Sequence, residues 1–340
     1  MLLPILLGCT SPDDAADSQP VVDTRETADS DVEQPSCGLA TFSGAEGDVD
    51  LTEVLRSGEV VILDQPGALH FCKGEWFAQL VVRADLTLTG EGADNTLVSG
   101  GESHIILLVE DADLVIRDLT LDRGAAREEE GDRGSGGGIR CQLGGSLNVE
   151  RVHFTNNTGY DGAGLYARDG CTAIVRDSIF QNNTSKDDGG ALRVNNGAAT
   201  IRGTLFEGNT ARDGGALIFH ETTVLIEDST FRDNETTDTQ GGAILHYFAP
   251  LTVRNSVFES NRSLQFGGAM ALFGDTVLEG VRFEGNTSDA GGAVVLYPDY
   301  TLSCSDCSFA GNVPDDVQLY QGDAYSFGQG ESFTCSTRCE

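Results

Sequence analysis

Residues 180–192 read FQNNTSKDDGGAL, and residues 206–217 read FEGNTARDGGAL. Each stretch opens on Phe-x-x-Asn and closes on Gly-Gly-Ala-Leu, and the two Phe lie 26 residues apart. Outward from this pair the first signature recurs at Phe154, Phe180, Phe206, Phe231, Phe258, Phe283 and Phe309, at intervals of 25 to 27 residues. The second recurs in phase at Gly189-Gly190-Ala191-Leu192, Gly214-Gly215-Ala216-Leu217, Gly241-Gly242-Ala243-Ile244, Gly267-Gly268-Ala269-Met270 and Gly291-Gly292-Ala293-Val294. Looser copies stand at Gly137-Gly138-Ile139 and Gly162-Ala163-Gly164-Leu165. A fixed period of this size marks a solenoid, whose repeats bury their apolar edges against one another.

The columns of the repeat decide which solenoid. Five residues before each Phe stand Val149, Val175, Ile201, Ile226, Val253, Leu278 and Cys304; seven before stand Leu147, Ala173, Ala199, Val224, Leu251, Thr276 and Leu302. Four before each Phe, at the outward position, the chain carries Glu150, Arg176, Arg202, Glu227, Arg254, Glu279 and Ser305. Apolar-in, polar-out alternation over short segments predicts strands, and no segment of a repeat is long or 3.6-periodic enough for a helix. Leucine-rich repeats would need more leucines and no glycine pair, and calcium-binding nonapeptide repeats have another period. The expectation is an all-β chain, a right-handed parallel β-helix of about ten coils over residues 37–312.

Equivalent positions then stack about 4.8 Å apart. Asn157, Asn183, Asn209, Asn234, Asn261, Asn286 and Asn312 are expected to form a ladder of amides, and the Phe series an internal aromatic file. Upstream, residues 80–90 (LVVRADLTLTG), 95–101, 105–109 and 114–121 continue the alternation less regularly. Residues 50–58 (DLTEVLRSG) put Leu51, Val54 and Leu55 on one face of a short helix, placed to cap the N-terminal end. Residues 313–340 leave the pattern and are expected to cap the other end. Residues 125–134 form a charged loop.

Of 340 residues, 39% are hydrophobic but only 7% aromatic, so the core must be built from small aliphatic side chains. The 43 Gly are nearly twice the average share. Lys and Arg number 21 against 54 acids, a net charge of -33, which repels phosphate backbones and excludes nucleic acid as a partner. Beyond residues 1–8 no apolar run is long enough for a membrane-spanning helix.

Residues 1–8 (MLLPILLG) run into Cys9, and Leu6-Leu7-Gly8-Cys9 resembles a bacterial lipobox. That resemblance implies a lipoprotein signal over residues 1–9, lipidation of Cys9, and, with Thr10 after it, export to the outer membrane. Residues 10–36 hold eight acids against Arg25 and almost nothing to bury, and are expected to be a disordered linker. Nine cysteines less Cys9 leave eight, an even number that suits an oxidising compartment. Among the 105 connectivities eight allow, the local pairs are Cys304–Cys307, Cys335–Cys339, Cys141–Cys171 and Cys37–Cys72.

The two signatures over residues 136–312 resemble those of the polymorphic outer-membrane proteins, surface adhesins with β-helical passengers, and the upstream coils resemble the pectin-lyase-like superfamily more generally. The resemblance implies a surface address, with a lipid anchor in place of the membrane barrel those adhesins end in. The expected partners are the membrane, through that anchor, and an extracellular glycan or surface protein. The chain is expected to be a monomer.

Two features are candidates for function. Asp161, Asp188 and Asp213 precede the glycine corner on three successive coils, and Asp187 adjoins Asp188. Stacked carboxylates could serve a calcium ion or acid–base work on a glycosidic bond, whereas an acid before Gly is also ordinary turn chemistry. No other cofactor or metal site is expected. After the corner, Ile218 and Leu245 should point outward, followed by His220, Tyr247, Phe273 and Tyr297, as an apolar stripe with aromatic rings one coil apart. Such a stripe fits a glycan or a partner, or else lies beneath the C-terminal tail through Tyr320, Tyr325, Phe327 and Phe333. The reading favoured is a non-catalytic, surface-anchored lipoprotein of adhesion or envelope binding, on the bacterial cell surface or secreted; the alternative is a polysaccharide lyase or glycoside hydrolase acting through the aspartates.

Overall fold

The computed structural model describes residues 39–127 and 132–336, together with the backbone of Ile5–Leu6. Each coil has three strand-bearing faces. The first follows the glycine corner, as in Leu192–Asn195 and Leu217–His220; the second is Ala198–Arg202 and Thr223–Glu227; the third, Leu205–Glu207 and Thr230–Arg232, carries the Phe. The register aligns the repeat with itself: Leu192 pairs Leu217, Ile201 pairs Ile226 and Phe206 pairs Phe231, all in parallel. On the second face, strands from Gly67–Phe71 to Leu302–Ala310 are joined by nine parallel coil-to-coil steps. The alternation read from the sequence is the physical cause, since every inward column is buried and each outward one meets solvent or a loop.

Two files run inside this stack. The rings from Phe154 to Phe309 stack with centroids 4.3 to 5.1 Å apart. At the corner after each Phe, the Asn Nδ2 donates to the Oδ1 of the next Asn at 2.9 to 3.0 Å, from Asn157 through Asn286. Its second proton goes to a carbonyl of the preceding coil, as from Asn209 to Phe180, and its Oδ1 also accepts the previous Asn backbone N–H. Each amide is thereby saturated, which is what permits seven of them to be buried.

Both ends of the stack are covered. Helix Thr52–Ser57 buries Leu55 and stops at Gly58, whose φ of 75° is a left-handed C-cap. A hairpin of Ala40–Gly44 and Gly47–Asp50 lies antiparallel on Gly67–Phe71. At the other end Gln329–Cys335 lies antiparallel on Leu302–Ala310, and Phe327 and Phe333 pack on Phe309 to finish the ring file. Antiparallel cover removes the open strand edges that would otherwise template association.

Disulfides join Cys141 to Cys171 on neighbouring coils and Cys304 to Cys307 within one strand. Cys335 is also disulfide-bonded. Cys72 is a buried free thiol, so the Cys37–Cys72 pair is not formed; Cys37 itself lies outside the described residues, as do Cys9, Cys339 and the linker over residues 10–36. Ile5–Leu6, within the expected signal, pairs in parallel with the edge strand Val60–Leu63. No helix among the described residues is long and apolar enough to cross a membrane.

Candidate functional site

The acids of the corner do converge, and arginines converge with them. The first glycine of each pair has positive φ (60° at Gly189, 58° at Gly214), so the chain turns sharply and lays the residue before it over the strand that follows. Asp188 thereby meets Arg193, five residues on, at 2.6 Å, and the same guanidinium nitrogen lies 2.8 Å from Asp161 one coil back. Asp161 also accepts from Ser135 Oγ and from the Asp188 backbone N–H. Arg212 bridges Asp187 at 2.9 Å and Asp213 at 3.2 Å, and Thr239 Oγ1 donates to Asp213. Arg193 further lies 5.8 Å from the centre of the Tyr166 ring, within cation–π range.

Burial raises the pKa of Asp161 and of Asp213. Burial also raises Asp188, to about 7; Arg193 opposes the shift, and the carboxylates of Asp161, Asp187 and Asp213 reinforce it. Asp161 and Asp188 hold Arg193 charged against its own desolvation. Asp161, Asp187 and Asp188 can each direct one oxygen to within 4.8 Å of the others. Calcium takes six to eight oxygens, and here Arg193 already sits on two of the three carboxylates, so an ion would have to displace a half-buried guanidinium.

The two arginines were missed in the sequence, although the signal was present. Register puts Asp188 opposite Asp213, so Arg212 falls opposite Asp187, an opposite charge one coil away. Arg193 belongs to the outward column Tyr166, Arg193, Ile218, Leu245, Ala271 of the first face. The corner beside that column runs from Asp188 and Asp213 to Gln240, Phe266 and Ala290. Arg193, the one cation of those five column residues, pairs with Asp161 and Asp188, while Asp213, on the coil of apolar Ile218, is met by Arg212 from the corner itself.

That overlay also corrects the expected stripe. Ile218 and Leu245 point out of the coil but are not exposed, at 3% and 0% accessibility. The corner covers them: a Cβ on Gly189 would come within 3.0 Å of Ile218 Cγ2, and one on Gly214 within 3.3 Å of Leu245 Cβ. The C-terminal tail plays a smaller part in that cover than the sequence suggested. Among the described tail residues only Tyr320 reaches the outer rings, stacking on Tyr297 at 4.2 Å, while Phe327 and Phe333 close the inner file.

His220, Tyr247, Phe273 and Tyr297 do form a column one coil apart, with successive ring separations of 5.8, 4.7 and 3.5 Å, each ring half-buried. Phe273 and Tyr297 stack on each other, so their edges rather than their faces meet solvent. Gln240 ties the column to the acidic corner, donating to Tyr247 Oη at 3.3 Å and accepting from Tyr297 Oη at 2.6 Å. Burial, with Asp213 and Asp188 nearby, pushes the Tyr247 phenol up to about 12. Phe248, edge-on to His220 and 55% exposed, is the most open ring beside the column. The corner network and the ring column are therefore one continuous strip along the rod.

The architecture defines a class, and comparison with known families agrees: residues 93–231 and 137–331 match the right-handed β-helix region. The chain belongs to that family. Among solved structures it is similar to the PL6 family alginate lyase AlyGC, at 14% identity and a TM-score of 0.43, over 82% of this chain and 40% of that one. That likeness is one of fold. No curated protein matches the chain.

Proposed function

We propose that the chain is a non-catalytic binding rod, held at a bacterial cell surface through lipidated Cys9 and an acidic tether, that engages a glycan or surface protein along the first face. The observation that carries this reading is the state of the aspartates. Asp161, Asp187, Asp188 and Asp213 are all engaged by Arg193, Arg212, hydroxyls or backbone amides. Such acids weld coils together, and the surface left for a partner is the strip of ring edges and hydroxyls beside them. The net charge of -33 disfavours polyuronates and other polyanions, and favours neutral or cationic polymers.

Binding of a neutral and a cationic polysaccharide panel to the purified chain tests this, with Phe248→Ala and Phe273→Ala as probes. Loss of one ring contact should weaken binding about 2- to 10-fold. Unchanged binding in both variants would move the ligand surface elsewhere.

A second reading rests on Asp188. A carboxyl group raised to about 7 beside a second acid can act as a general acid near neutral pH, as glycosidases require. In that case Asp188→Asn would abolish the release of new chain ends, whereas the binding reading expects none from either form.

A further inference from the structure

Away from the strip, one cluster joins three different kinds of ligand atom. His70 belongs to Gly67–Phe71, Cys72 follows it at the corner, and Glu91 comes from the next coil. Register pairs His70 with Thr89, which sets Glu91 beside Cys72. One nitrogen, one sulfur and one carboxylate oxygen from these three side chains lie within 4.8 Å of one another. His70 Nδ1 is 2.8 Å from Thr89 Oγ1, while Nε2 faces Glu91 Oε1 at 4.0 Å. In the tautomer that donates Nδ1–H to Thr89, Nε2 carries its lone pair toward Glu91. The Nδ1–H bond to Thr89 is the kind of support metal-binding histidines have as a rule. The corner is also fixed from within, since buried Trp76 donates Nε1–H to the Cys72 carbonyl at 2.9 Å.

We infer that His70 Nε2, Cys72 Sγ and a Glu91 oxygen bind one divalent transition metal of the zinc type, with solvent in the fourth position. A thiolate, an imidazole and a carboxylate suit a borderline-soft tetrahedral ion and not calcium or magnesium, which take oxygen. On binding, the Cys72 thiol gives its proton to solvent and its sulfur bonds the metal, so one proton is released per ion. The ion would clip the first coils together at the end of the rod that the asparagine ladder, beginning at Asn157, does not reach.

Titrating the metal-free, purified chain with Co(II), then Zn(II), tests the site. The expected result is one equivalent of Co(II) bound with a thiolate-to-metal charge-transfer absorption, displaced by Zn(II), and with Cys72 protected from alkylation. Cys72→Ser should remove the absorption. Because Cys72 is buried, Glu91→Gln is the gentler probe, and should weaken binding on the order of 10-fold or more while leaving the fold intact. Absence of saturable Co(II) binding in a folded chain would overturn the inference. A peptide map showing Cys72 cross-linked to Cys37 in the purified chain would overturn it equally.

Discussion

Asn312 donates from Nδ2 to Asp316 Oδ1 at 2.9 Å, and this bond terminates the asparagine ladder. Every amide in the ladder gives one proton to the next side chain on the C-terminal side and accepts from the N-terminal side, where Gly124 N–H supplies the first proton to Asn157. The dipoles therefore align, and a carboxylate stands where the donors run out. A charge-assisted bond at that position polarises the whole file favourably. Asp316 also accepts the Phe327 backbone N–H at 2.8 Å, which ties the ladder to the C-terminal cover.

Asp316→Ala should therefore cost about 1–3 kcal/mol, by leaving a buried amide proton and a cap N–H without acceptors. Chemical denaturation gives the value. Exposure of Phe327 and Phe333 should accompany it, seen as faster proteolysis of the tail than in the parent chain.

Asn209→Ala, in the middle of the ladder, should be worse. It strands two donors of Asn183, removes the side-chain donor to the Phe180 carbonyl, and leaves the Asn234 oxygen with only the residue-209 backbone N–H; a stranded buried group is worth about 1–3 kcal/mol. A loss of roughly 3 kcal/mol or more is expected in the same measurement. A loss as small as that of an exposed-site control would show that water replaces the amide at no cost.

Two buried groups give stability opposite dependences on pH. His246 points into the core beside Phe219, donates Nε2–H to the Ala249 carbonyl at 2.5 Å, and has no partner at Nδ1; burial lowers its pKa below 6.5. The unfolded chain takes up this proton first, so the His246 contribution is intact above pH 6.5 and is lost as pH falls through the depressed folded value. Asp188, raised from 3.8 to about 7, contributes stability present below pH 3.8 and lost as pH rises toward 7. Denaturation between pH 4 and 7 should show His246→Leu losing the acid-side decline, and Asp188→Asn losing the decline on the neutral side.

Cys141 and Cys171 close a loop of 30 residues across neighbouring coils. Replacing both by Ser should lower stability by about 3–4 kcal/mol on the loop-entropy estimate. Calorimetry of the double variant under non-reducing conditions measures it.

The period, the inward columns, the asparagine ladder and the phenylalanine file were legible because each coil repeats the same chemistry at the same register. Phe206 and Asn209 announce their roles by recurring. The corner pairing of Asp188 with Arg193 was harder to read, since it spans five residues across a turn whose path depends on the positive φ of Gly189. The burial of Leu245 was not legible at all. Its place in the strand says that it points outward, and only the backbone of the neighbouring corner shows that something lies on top of it. Likewise Phe273 and Tyr297 were readable as neighbours, but their mutual stacking, which turns their faces away from a ligand, was not.

Whether the rod binds or cuts is tested most directly by counting new chain ends. The purified chain and its Asp188→Asn form would be incubated with a panel of neutral, cationic and anionic polysaccharides, with and without calcium, while binding is measured in parallel. A binding rod gives saturable binding to at least one neutral or cationic polymer and no new ends from either form. New ends from the parent chain, abolished by Asp188→Asn, would contradict it and make the acidic corner a catalytic site.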